Sequence, residues 1–462
     1  MSERAERQYR TRYHAQCVLP ITAPPIANGT VVVEGDRITW VGPRADAPLA
    51  PAARDVELGH AFLLPGLVNA HTHLDLTVMR GVLEGLPFFD WVRTLVAARA
   101  QLTPDDLLDS ARLGIREGLR AGITTFADTA PSGASFDAMR ELGVRGIAYR
   151  EVFGPDPAQC DASLAALRSA IAGMRPRETA LVRAGVSPHA PYSVSDRLFR
   201  EVAAFARSER LPLATHVAES EDESALVTRG EGPFAEFLRG RRIDVGPRGR
   251  SPIALLETCG VLDSSALLIH CVRCDAKDIA TIAEHRAAVA TCPMSNMRFL
   301  HGSAPVDLIR GAGIRLGVGS DSMASNVSMD VLREAMMAVR EGGSGPLDTP
   351  PDGVWATATI GGASALGLDP EIGSLEPGKQ ADLAVLSFAF MGGSGGSSFT
   401  TLKSATPGAP ASPPMFPASL VVVAGRPLVR DGRLLARDDG LQDRVTGAAA
   451  RLSEWRRNSL AR

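Results

Sequence analysis

The sequence predicts an α/β protein: a (β/α)8 TIM-type barrel carrying a small β domain built from both ends of the chain. Three observations predict it. Strand-like and amphipathic helix-like segments alternate eight times between residues 63 and 370, a pattern that argues for a parallel sheet closed into a barrel. The segments before and after that region are short, β-like and separated by turns. Histidines recur at the C-terminal ends of the expected strands, where such barrels keep their working groups. The expected division is residues 1–62 and 371–462 for the two parts of the β domain, with a terminal helix, and 63–370 for the barrel.

Residues 15–19, 29–33 and 37–41 alternate as strands around turns such as Glu34-Gly35-Asp36. Residues 381–386, 419–423 and 425–432 repeat the pattern at the other end and are expected to pair with the first set. The first barrel strand is the apolar run from Phe62 to Val68, bounded by Pro65-Gly66 and closed by His71-Thr72-His73. The remaining seven are expected at 122–126, 145–149, 182–186, 212–216, 266–270, 287–290 and 315–319, with helices at 104–121 and 275–285 among those between them. The Gly/Ser/Pro-rich stretch 391–417 reads as a surface loop.

Of the 462 residues, 45% are hydrophobic and 22% charged, so a large core can be buried. Net charge is −3 with no basic stripe, which argues against a nucleic-acid partner. No apolar run reaches the length of a membrane span, and residues 1–7 are charged, with no apolar stretch of a secretory signal. Six irregularly spaced cysteines fit reduced thiols and a cytoplasmic location. Cys271-x-x-Cys274 has no second pair at zinc-finger spacing and reads as structural. The expected partner is a small-molecule substrate, and a homo-oligomer is compatible with this composition.

Two histidines at i and i+2 of a strand share a face, so His71 and His73 can reach one cation. His189 follows the fourth strand, His216 ends the fifth, His270 the sixth, and Asp321 the eighth. Five of the nine histidines thus fall on the catalytic face. His71, His73, His216 and Asp321 offer nitrogen and carboxylate ligands without thiolate, a set suited to Zn²⁺, with Fe²⁺ as the alternative. Glu219, three residues after His216, is placed to move a proton between water and a leaving group; its other reading is a helix-start residue favoured by the dipole, as for residues 221–223.

This order, His71-x-His73, His189, His216-x-x-Glu219, His270 and Asp321-x-x-x-Ser325, resembles the amidohydrolase superfamily. It looks like the branch of adenosine-type deaminases and triazine chlorohydrolases, which includes methylthioadenosine/S-adenosylhomocysteine and aminodeoxyfutalosine deaminases. The strings Leu64-Pro65-Gly66-Leu67-Val68-Asn69-Ala70-His71, Cys292-Pro293-Met294-Ser295-Asn296, Gly319-Ser320-Asp321-Ser322 and Glu376-Pro377-Gly378-Lys379-Gln380-Ala381-Asp382 carry the likeness. The resemblance implies a distorted barrel with a composite β-sandwich from both termini. It implies one divalent metal on His71, His73, His216 and Asp321, with Glu219 as proton shuttle. His270 and Asp321 would orient the attacking water, and His189 and Ser325 would contact substrate. Binuclear relatives bridge two metals through a lysine after strand three or four; no lysine precedes Lys277 here, so one metal is expected.

Phe88, Phe89 and Trp91 could close over a planar heterocycle, or could simply be buried at a helix start. Trp91 resembles the lid Trp of the methylthioadenosine deaminases, whose ribose-binding Glu is replaced here by Ala100. Arg150 could clamp a carboxylate or form an ion pair. The clamp favours aminodeoxyfutalosine as substrate, ahead of methylthioadenosine and S-adenosylhomocysteine. The alternatives are a triazine-, pterin- or guanine-type aminohydrolase or chlorohydrolase, and more remotely a non-catalytic scaffold.

Overall fold

The computed structural model describes residues 10–49, 53–341, 352–387, 407, 412–437 and 440–460; most of the 391–417 stretch lies outside them. Eight parallel strands form the barrel wall: β1 Leu67–His73, β2 Ile123–Ala130, β3 Arg145–Val152, β4 Val182–Pro188, β5 Leu213–Val217, β6 Ala266–His270, β7 Ala288–Thr291 and β8 Leu316–Val318. Each pairs with its neighbour in sequence order. The ring closes just past β8, where Asp321 and Ser322 pair with Thr72 and His73 of β1. Asp321 therefore lies beyond strand eight, on a separate bridge that seals the barrel.

Alternation along the strands separates two layers. Val68, Ala70, Ala127, Ile147, Tyr149, Ala214, Leu267, Ile269, Ala288 and Ala290 fill the lumen. Leu67, Phe126, Ala148, Val186, Val217, Leu268 and Val318 face outward onto the helices.

Both chain ends form one nine-stranded sheet. Residues 10–18 and 61–65 pair in parallel, and Leu383–Ser387 joins the C-terminal strands to Ala61–Pro65. The sheet coils so that Val31 and Val33 share a core with Leu420 and Val422 from its far end, which gives the expected sandwich. Ala61–Pro65 runs into β1 through Gly66, where a Cβ would come within 2.1 Å of Thr124 Oγ1. A buried ion pair fastens the sheet to the barrel floor: Arg145 donates to Asp382 at 2.7 and 3.1 Å. That pair explains the Glu376–Asp382 string. Among the described residues no helix is long and apolar enough to cross a membrane.

Candidate active site

Three local distortions turn a regular barrel rim into a site. The first is in β1. Val68 and Ala70 face the lumen, so strict alternation would point His71 outward. A register shift between Asn69 and Thr72 adds a residue and brings both His71 and His73 inward. Gly319 accommodates that bulge, since a Cβ there would lie 2.5 Å from the His71 carbonyl oxygen. The second is at the end of β6, where His270 has φ of +74°. Alternation places it outward with Leu268; the left-handed backbone swings the ring over the lumen, 6.0 Å from His71 and 5.7 Å from His216. The third is Asp321, at φ +54°. Non-glycine residues with positive φ are costly and gather at functional sites.

His71, His73 and His216 each present a ring nitrogen within 4.8 Å of the others'. His73 Nε2 and His216 Nε2 lie 3.2 Å apart, while their Nδ1 atoms are engaged by Thr129 Oγ1 at 3.3 Å and the His189 carbonyl at 3.1 Å. Both ring nitrogens of His71 are buried and make no hydrogen bond. Asp321 Oδ1 sits 3.5 Å from His71 Nε2 and 3.6 Å from His73 Nε2. Its Oδ2 accepts from Ser295 at 2.6 Å and from Ser325 at 3.2 Å. An unpartnered buried imidazole beside two facing nitrogens and a carboxylate fits a divalent cation, because such a group is costly without one. Burial pushes the His71 pKa down to about 4 and His216 well below its ordinary value, so both imidazoles are neutral at pH 7.

Glu219 follows Ala218, which has φ of +53°. Glu223 fixes this turn, accepting from the backbone N–H of Ala218 at 2.8 Å and of Glu219 at 2.9 Å. Glu223 thus does more than favour the helix dipole. Glu219 Oε1 lies 3.5 Å from His270 Nε2. Burial first, then the charges of Asp321 and Glu223, raise its pKa well above the usual carboxylate range. His270 is oriented by Asn296 Oδ1, 3.0 Å from its Nδ1.

The expected substrate contacts divide. His189 stands in the lumen with its ring 4.8 Å from His216, its Nδ1 held by Ser193 at 2.7 Å. Ser325 is engaged with Asp321. Trp91 is buried among Phe88 and Phe299, and it is Phe88 whose edge reaches the site through His301, at 4.6 Å. Arg150 shares the outward phase of Ala148 and Val152, near Arg99 and Asp75, while Glu151 shares the inward phase of Ile147 and Tyr149. Glu151 Oε1 is buried without a partner, and its carboxylate, His189 and His216 offer atoms within 4.8 Å of one another. Sequence reasoning missed Ser295, Asn296 and His301. The first two lay in the Cys292–Asn296 string already noted; His301 lies in a loop without periodicity.

A barrel closed by an acidic bridge, with a His-x-His bulge and a histidine on β5, defines a class of hydrolase. The amidohydrolase family profile matches residues 62–405. The chain is 33% identical over 380 residues to the 5-methylthioadenosine/S-adenosylhomocysteine deaminase of Symbiobacterium thermophilum, covering 80% of this chain and 83% of that one. It is 30% identical over 444 residues to the 5′-deoxyadenosine deaminase of Methanothermobacter thermautotrophicus, covering 93% and 96%. An adenosine deaminase from Xanthomonas campestris, solved with bound zinc, superposes with a TM-score of 0.80 at 26% identity, covering 97% and 99%. The chain belongs to the amidohydrolase family. It is a hydrolase acting on carbon–nitrogen bonds other than peptide bonds.

Proposed function

We propose that this chain hydrolytically deaminates a 5′-modified adenosine, replacing the amino group of the purine with oxygen and releasing ammonia. The observation that carries this reading is the convergence of Glu219, His270 and Asp321 on one buried point beside the cation ligands, in a chain whose relatives bear those deaminase names.

His71, His73, His216 and Asp321 would hold one divalent cation, with zinc favoured by the imidazole-rich donors and iron(II) the alternative. A bound cation of this kind supplies a water acidified to a pKa of about 7. Glu219, kept as the neutral acid by burial, gives its proton to the ring nitrogen. It then takes one from the attacking water and passes it to the departing amine; as ammonia leaves, the remaining hydroxyl proton returns to Glu219, which gives the C6 carbonyl and restores the acid. His270, with Nδ1 facing Asn296 Oδ1, presents Nε2 to orient that water. Asp321 does the same from the opposite side, with its second oxygen engaged by Ser295 and Ser325. His189 offers its free edge to the purine, and Phe88 and Tyr192 wall the ring. Glu151 accepts hydrogen bonds from the sugar hydroxyls, in the role left vacant by Ala100.

With Arg150 facing outward, the case for a carboxylate clamp weakens. Methylthioadenosine and 5′-deoxyadenosine therefore move ahead of aminodeoxyfutalosine and of S-adenosylhomocysteine, whose 5′ group carries a carboxylate. The test is ammonia release by zinc-loaded protein across those four, adenosine, guanine and an aminotriazine. The expected result is preference for an uncharged 5′ group, with Glu151→Gln raising KM for nucleosides only. Comparable turnover of ribose-free rings would return the reading to the triazine- or guanine-type alternative.

A further inference from the structure

We propose that His301 is a positioning residue for Glu219: its Nε2–H donates to Glu219 Oε1 and holds that acid against the reaction centre, with the acid proton on the other oxygen, free for the purine. The inference rests on the deaminase reading above. His301 Nε2 lies 3.7 Å from Glu219 Oε1, the same oxygen that sits 3.5 Å from His270 Nε2. The acid oxygen is thus set between two imidazoles. His301 Nε2 is buried and has no hydrogen-bond partner, and a buried polar nitrogen left unsatisfied is costly.

The chain is bent to deliver this one side chain. Leu300 has φ of +57° and Gly302 of +99°, on either side of it. The His301 N–H donates to the Asn296 carbonyl at 3.0 Å. Asn296 therefore sets both imidazoles, one through its backbone and one through its side chain. The His301 ring is clamped by Phe88, nearly perpendicular at 88°, and by Phe299 at 5.5 Å.

A separation of 3.7 Å is too long for a formed hydrogen bond. Contacts of this kind tighten once substrate closes the site. Burial supports the donor–acceptor sense. It pushes the His301 pKa down to about 3, so the imidazole is neutral and carries a single N–H, and it raises Glu219, so the acid keeps its proton for the purine.

The experiment compares His301→Leu, which fills similar space without a donor, with His301→Gln, whose side-chain N–H can donate. Ammonia release, thermal midpoint and bound metal are measured for both. The Leu variant is expected to lose about 10- to 100-fold in kcat, a share of the usual acid–base contribution, with KM within about twofold and metal content unchanged. The Gln variant should recover most of that loss. Full kcat in the Leu variant, equal losses in both variants, or an effect confined to KM would overturn the role. A wild-type chain silent on every aminopurine would instead defeat the deaminase reading, and this inference with it.

Discussion

In the proposed role, Glu219 would hold a proton at neutral pH while facing the carbon under attack, and its surroundings suit both demands. Burial makes the charged form costly, and Glu223 pins the backbone that carries it. Replacing Glu219 with Gln should lower kcat by about 10²- to 10⁴-fold, the contribution typical of a positioned acid–base group. Bound metal, read by elemental analysis, should stay unchanged, since Glu219 is outside the ligand set. At this scale the clustering of His71, His73 and His216 was legible because residue type and strand-end position both constrain it. Which way each ring points was less so. His71 owes its direction to a bulge and His270 to a left-handed φ, and neither leaves a mark in the hydrophobic pattern. Arg150 and Glu151 show the same limit: only the phase of β3 decides which one enters the lumen.

At the scale of elements, the strands and several helices followed from periodicity and turn residues. Pro104–Arg120, for instance, begins on a Thr103–Asp106 capping box and ends before Gly122. The eighth strand did not end where expected, because Asp321 is separated from β8 by Gly319-Ser320 and pairs with β1 instead. The junction of sheet and barrel was legible only as a recurrent string, since its meaning depends on Asp382 meeting Arg145 across 237 residues. Both side chains are almost fully buried, at 3% and 2% exposure. Asp382→Ala should therefore cost about 3–5 kcal/mol, the usual consequence of removing one partner of a buried pair, since it leaves Arg145 with only the longer, more exposed contact to Glu371 at 3.7 Å among the described ion pairs. Chemical denaturation would measure it, and a loss below about 1 kcal/mol would reassign the junction to the apolar contacts around it.

Across the whole molecule, buried titratable groups tie stability to pH from both sides. His189 and His301 are each pushed down to about 3 by burial. The unfolded chain binds their protons near pH 6.5 and the folded chain does not. Their contribution is complete above about 6.5 and is lost as pH falls toward 3. Glu334 is raised to about 8 by burial, despite the N–H groups of Met294 and Asn326. Its contribution is present below about 4.5 and is lost as pH rises through 8. The thermal midpoint of metal-free protein should thus peak near pH 6.5 and fall on both sides, and Glu334→Gln should make the alkaline fall shallower, with Glu223 and Asp128, each raised to about 7, carrying part of the rest. An unchanged alkaline limb in that variant would locate the loss elsewhere.

The most direct measurement is the conversion of methylthioadenosine by the protein loaded with one zinc per chain, following ammonia and the corresponding inosine together. The account predicts equal amounts of both products, formed by the wild type and nearly abolished in Glu219→Gln. No ammonia released by the zinc-loaded wild type, or a Glu219→Gln variant as active as wild type, would contradict it.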